Sequence, residues 1–304
     1  MPRPAGRLSP HDLEMLLVTM IWGGNFSVSK FAMQAIPPLP FSALRFLASS
    51  VVLLLVAQRA GVAAPLPRRT LWAIAGLGVL GNTIYQTAFM TGLSMTSATN
   101  SAMIVASLPV VVAMLGTLLG IERASPALWT GVILGSAGVA LVVAVRGVHF
   151  GAGSLRGDLL VLGSMLCWSL YTLGIRRVGA GVHPLWLTAI ATAAGTPGLV
   201  LLGLPGALRQ DWAAVTPSTW AALSYAAVLS LVLCYVLYNR AVQAIGSGRT
   251  ALYNCLTPLV AMVIAWLTLG EVPTPVQFVG VALVIGGVLV SVTASTAVPG
   301  GVPE

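Results

Sequence analysis

Apolar stretches of about twenty residues, separated by short punctuated connections, recur along the whole chain, and this pattern removes most ways in which it could fold. Each stretch, wound as a helix, is long enough to cross the ~30 Å hydrocarbon layer of a bilayer. Only 7% of the residues are charged, against roughly 25% in an ordinary soluble domain, so no water-facing shell can be built. The fold class that follows is an all-α integral membrane protein, and length counts spans here, not domains.

Ten spans are expected, at about 12–33, 41–58, 71–93, 97–119, 126–145, 157–178, 183–204, 218–242, 247–269 and 275–294. Pro37, Pro38 and Pro40 separate the first two, and Pro65 and Pro67 stand with Arg68 and Arg69 before the third. Ser125-Pro126 and Thr274-Pro275 each place a capping hydroxyl ahead of a first-turn proline, which marks the starts of spans five and ten. The first apolar run continues to about Met33, longer than the roughly 7–15-residue core of a signal peptide, so the first helix is expected to stay.

The formal charge of +8 is spread singly or in pairs between the apolar runs, with no basic stripe for nucleic acid. It carries topology instead. With the N-terminus in the cytoplasm, the inner ends hold Arg3, Arg7, Arg59, Arg68, Arg69, Arg123, Arg176, Arg177, Arg240 and Arg249. The outer loops hold Arg146, Arg156 and Arg209, with Lys30 and Arg45 within spans near the outer side. This excess predicts both termini in the cytoplasm.

The two halves of the chain repeat each other. Asp12, Trp22 and Lys30 recur as Asp158, Trp168 and Arg176, at a shift of 146 (168 − 22). Pro109, Glu122, Pro126 and Gly131 recur as Pro258, Glu271, Pro275 and Gly280, at a shift of 149 (258 − 109). Such a series argues for a duplicated five-helix unit. An odd number of spans per unit threads the second copy through the bilayer upside down, an arrangement transporters use to expose one site to alternate sides. The expected divisions are a cytoplasmic N-terminus at 1–11, units at 12–146 and 157–294, and a cytoplasmic tail at 295–304.

With MIWGGNF in span one, SAMIVASLP in span four followed by LLGIE, and LTPLVAMVIAWLTLGE in the second half, the duplicated pattern resembles the drug/metabolite transporter superfamily with two EamA domains. Within it the chain is similar to the ten-helix YddG-type amino-acid exporters, over about residues 12–294. The resemblance implies efflux of amino acids, aromatic ones among the candidates, or of related small metabolites, across a bacterial inner membrane.

Trp22, Asn25, Phe26, Ser29 and Lys30 share one helical face, too polar to meet lipid comfortably, and Trp168, Tyr171, Thr172 and Arg176 form its counterpart in span six. These faces are expected to line a central cavity between spans one, three, four, six, eight and nine. Asn82, Tyr85 and Gln86 in span three and Tyr235, Tyr238 and Asn239 in span eight would line it or bond helix to helix, as would Asn100 and Asn254. Lys30 and Arg176 would attract a carboxylate, pin a gate, or reach the headgroups. Pro109 and Pro258 sit at equivalent mid-span places, where kinks could serve as hinges. Gly131 and Gly135, with Ala282 and Gly286, are expected to seat spans five and ten against each other.

All seven acids fall at span ends, in loops or at the terminus, which favours an uncoupled facilitator over proton antiport. An enzyme is not expected, because His11, His149 and His183 lie at span edges and neither HExxH nor GxSxG occurs. Cys167, Cys234 and Cys255 sit in apolar segments without CxxC spacing, so neither disulfide, metal nor cofactor is expected. The expected partners are the bilayer and a small solute, with no obligate protein partner. A carrier of drugs, other metabolites, nucleotide sugars or phosphate esters is the alternative, although multiply charged solutes call for several cations. Only Lys30, Arg45 and Arg176 are candidates for such a role.

Overall fold

The computed structural model describes residues 9–95, 104–105, 108–121, 125–144, 152–257, 259–260, 262–264 and 274–295. Among them there is no strand. Helix α1 (Pro10–Ala32) opens on a capping box, in which Ser9 Oγ accepts from the Asp12 N–H and Asp12 Oδ2 accepts from the Ser9 N–H at 2.8 Å. Helix α2 (Pro38–Arg59) begins inside the proline cluster expected to precede it. First-turn N–H groups have no intrahelical partner, so Pro38 and Pro40 forfeit nothing there.

Run α3 joins Arg68–Gly78, Val79–Ile84 and Tyr85–Met95. After it come α4 (Leu108–Leu118), α5 (Pro126–Ala144), α6 (Ala152–Val178) and α7 (Pro184–Arg209). Run α8 joins Pro217–Tyr225, Ala226–Leu233 and Cys234–Ile245. It is followed by α9 (Ser247–Tyr253), a 3₁₀ turn at Asn254–Leu256, and α10 (Pro275–Ser295). Both expected caps form. Ser125 Oγ accepts from Leu128 N–H at 3.2 Å, and Thr274 Oγ1 accepts from Gln277 N–H at 3.4 Å, with Gln277 Oε1 accepting in return from Thr274 N–H at 2.9 Å.

Four runs are long and apolar enough to cross a membrane by length and composition, namely Pro38–Arg59, Leu155–Val178, Pro184–Arg209 and Pro217–Ile245. Leu108–Leu118, Pro126–Leu141 and Pro275–Ser291 are shorter apolar helices.

The packing follows the repeat. Helix α2 lies along α7, α5 along α10 and α4 against α9, while α1 packs on α8 and α3 on α6. Exchanging each helix for the one five places on leaves this set unchanged, as a two-fold relation between the halves requires. Single residues obey the same rule. Ser50 and Thr196, equivalent at the 146 shift, hydrogen-bond to each other at 2.7 Å.

At the α5–α10 seam, a Cβ on Gly131 would lie 2.6 Å from the Gly287 carbonyl, and one on Gly138 2.5 Å from the Gly280 carbonyl. The 149 shift turns the first contact into the second. The seam was legible from Gly131, but α10 contributes Gly280 and Gly287, not Ala282 and Gly286. A Cβ on Gly286 would meet nothing within 4 Å.

Helices α3 and α8 each change to π-helical winding midway, at Val79–Ile84 and Ala226–Leu233. Their starts are 147 apart (226 − 79), so the irregularity is duplicated with the fold. A π turn widens the coil and releases carbonyls from the regular ladder, and such turns gather at functional sites.

Candidate substrate site

Trp22 on α1 and Trp168 on α6 meet edge to face with ring centroids 6.2 Å apart, which puts a symmetry-related pair at the centre of the bundle. Tyr238 lies 5.4 Å from both Trp rings, and Tyr235 lies 6.1 Å from Trp22 and 5.6 Å from Trp168. From α3, Tyr85 comes within 5.0 Å of Trp168, and Tyr171 stacks on Trp168 at 5.1 Å. Six of the residues singled out from the sequence thus share one cluster.

Hydrogen bonds fix these rings. Trp22 Nε1 donates to the Ser230 carbonyl at 3.0 Å, one of the carbonyls in the π segment of α8, and Ser49 Oγ donates to another, that of Ala227, at 2.9 Å. Asn239 Nδ2 donates to Tyr171 Oη and to Thr188 Oγ1, both at 2.9 Å. The hydroxyls of Tyr238 and Thr172 lie 3.0 Å apart.

An open central chamber was expected, yet the middle holds packed aromatic rings. Trp168, Tyr171, Tyr235 and Tyr238 are all buried. The apolar faces of six large rings attract one another more strongly than they attract water, so they close the space when nothing else fills it. Polar groups are also buried on α1 and α3, which carry two of these rings, and in and after the turn that follows α9. Asn25 Oδ1, Ser29 Oγ, Asn82 Oδ1, Asn254 Nδ2 and Thr257 Oγ1 are buried without a hydrogen-bond partner, each at a cost of about 1–3 kcal/mol. Asn82 also ties two helices together, its Nδ2 donating to the Ala191 carbonyl at 3.0 Å.

The Lys30 side chain, Asn100 and Pro258 lie outside the described residues. Pro109 is buried in α4, and part of the turn before it, 106–107, is likewise outside them. Arg176 donates to the carbonyls of Val242 and Gln243, so it binds the last turn of α8, where a helix presents its partial negative charge.

An EamA-like transporter family model matches this chain twice, over residues 10–144 and 155–293. The chain belongs to the EamA-like transporter family. This EamA chain is 28% identical to the uncharacterized transporter YyaM of Bacillus subtilis over 282 residues, covering 90% of this chain and 91% of that one. It is 29% identical to a probable terminal-alkyne amino-acid exporter of Streptantibioticus cattleyicolor, covering 93% of each. A solved crystal structure superposes with a TM-score of 0.75 over 93% of this chain at 19% identity, which shows the shared fold. The protein is therefore a membrane transporter.

Three further features of this EamA transporter lay beyond sequence reading. The first is the placing of Arg45, a charge within α2 that is only 4% exposed. Its guanidinium carbon sits 5.4 Å from the Phe41 ring centre and 5.6 Å from that of Phe46. A charge buried within a membrane-spanning helix is costly and rare. That signal was present in the sequence as an arginine inside an apolar run.

The second is a polar latch at the end of the bundle where α1 begins. Asp12, fully buried, accepts from Arg249 Nη2 at 2.7 Å and 2.8 Å and from Tyr253 Oη at 2.7 Å. Glu14 pairs with Arg240 at 3.3 Å nearby. The third lies at the opposite end, where Pro37, Pro40, Met90, Thr91, Leu202 and Gly206 are among the residues lining a cleft of about 290 Å³.

Proposed function

We propose that this transporter exports amino acids, aromatic ones among them, or related small metabolites by alternating access, as an uncoupled facilitator of the bacterial inner membrane. Ten spans form two inverted five-helix units with both termini in the cytoplasm, and the solute passes between α1, α3, α4, α6, α8 and α9. The Trp22–Trp168 pair carries this reading. A cluster formed by equivalent residues of both halves can open toward either side by the same motion run in reverse. The π segments of α3 and α8, at matched places, are the elements proposed to bend.

Packed aromatic faces suit a solute with an apolar body, and an ammonium group can rest on them. The amino-acid exporter among the relatives supports the same class. Among the described residues the acids stand at the start of α1, near the start of α6 and in the connection after α7, leaving no mid-span proton carrier. The test is flux in proteoliposomes loaded with amino acids, sugars or nucleotide sugars. Efflux of amino acids without proton movement is expected, and transport confined to nucleotide sugars overturns the reading.

A further inference from the structure

Three arginines in this bundle reach buried surroundings, and two of them are tied down by the protein. Arg249 grips the Asp12 carboxylate, and Arg176 donates to backbone carbonyls. Arg45 differs from both. Among the described residues no acid pairs with it; its Nε is buried without a hydrogen-bond partner, as is that of Arg249, but Arg249 holds Asp12 through Nη2. Nor does it snorkel, since a side chain reaching for headgroups would be exposed and this one is 4% exposed.

Its surroundings belong to the central cluster. Phe46, which it overlies, is 6.4 Å from Tyr235 between ring centres. Pro40, which lines the cleft, stands five residues earlier on α2, roughly 7.5 Å along the helix. Between them Gln86 Nε2 donates to Ser42 Oγ at 3.4 Å. Along α2, Arg45 thus stands between the level of the cleft and Phe46, the residue that meets the ring cluster.

We propose that Arg45 is the carboxylate anchor of the transport path, and that the substrate class is a monocarboxylate with an apolar or aromatic body. The inference rests on the transport reading above and narrows it. A guanidinium fork gives a carboxylate two parallel N–H bonds, a fit that a neutral amide cannot copy. The equivalent step of α7 is Ala191, because α2 and α7 start at Pro38 and Pro184. One half alone carries the cation, so one carboxylate is held and the solute lies in one orientation.

The experiment measures flux and Trp fluorescence in proteoliposomes with L-phenylalanine, its amide, phenethylamine and phenylpyruvate, for the unaltered protein and for Arg45→Lys and Arg45→Met. Phenylalanine and phenylpyruvate are expected to move with KM values at least about tenfold below that of the amide, with Arg45→Met erasing the difference and Arg45→Lys keeping part of it. If Arg45→Met does not fold, as judged by its melting curve, the Arg45→Lys protein and direct calorimetric binding of phenylalanine and its amide to the unaltered protein decide. Acid binding no tighter than amide binding overturns the proposal.

Movement of phenylpyruvate but of no amino acid supports Arg45 as the anchor while removing the amino-acid reading. Movement of phenethylamine alone, or an unchanged KM for phenylalanine in a folded Arg45→Met protein, overturns Arg45 and leaves transport standing.

Discussion

The two halves of this transporter share a frame and differ in their charges. Both place a tryptophan at the same step of their first helix, a π segment in their third and a glycine-lined face in their fifth. Only the first half buries a cation in the body of its second helix, Arg45, where the equivalent step of α7 is Ala191; the remaining cations of these two helices, Arg59 and Arg209, sit at their last residues. The second half supplies Arg249 to the capping acid of the first, and the position that matches Arg249 at the 149 shift is Asn100. Interchangeable positions thus build the packing, while unmatched ones give the two ends of the bundle different stabilities and the path a direction.

The sharpest test of that contrast is the latch. Arg249→Met leaves the Asp12 carboxylate buried without its cation and is expected to cost about 3–5 kcal/mol, with Asp12→Asn in the same chain restoring much of the loss. Thermal melts in detergent read both variants, and additive losses would show that the groups act separately. The seam comes next. Gly131→Val and Gly138→Val should each cost about 1–3 kcal/mol and agree with each other, because each pushes a side chain into a backbone carbonyl of α10. Clearly unequal melting shifts would break the symmetry inferred here.

Smaller effects sharpen the comparison at the axis itself. Trp22→Ala and Trp168→Ala should each weaken solute binding by about 2 kcal/mol, roughly thirtyfold in KM, with neither half dominating. A silent Trp22→Ala in flux assays would move the site onto the second half alone. Last, Ser50→Ala and Thr196→Ala should each cost about 0.5–1.5 kcal/mol, and the double variant little more, since they share one hydrogen bond.

Much of this was legible along the chain. The four long apolar helices followed from the length of apolar runs, and the caps at Ser125 and Thr274 from local hydrogen-bond chemistry. The pairing of α5 with α10 followed from their small residues, whereas the other pairings came from the structure. Trp22, Tyr85, Trp168, Tyr171, Tyr235 and Tyr238 were found because polar and aromatic groups are costly to face lipid, whatever they do inside. The π segments were not legible, because Val79–Ile84 and Ala226–Leu233 are apolar runs with no proline or other breaker. The prolines drew attention instead.

The sequence by itself determined that the chain is helical, membrane-spanning and duplicated, because each property depends on solvation and spacing along the chain. The tertiary structure alone decided which polar groups found partners. Arg45, Arg176 and Arg249 are one residue type on three helices. Only packing distinguishes an arginine held by an acid or by carbonyls, whose partners lie more than sixty residues away, from one buried against Phe41 and Phe46 with no acid beside it.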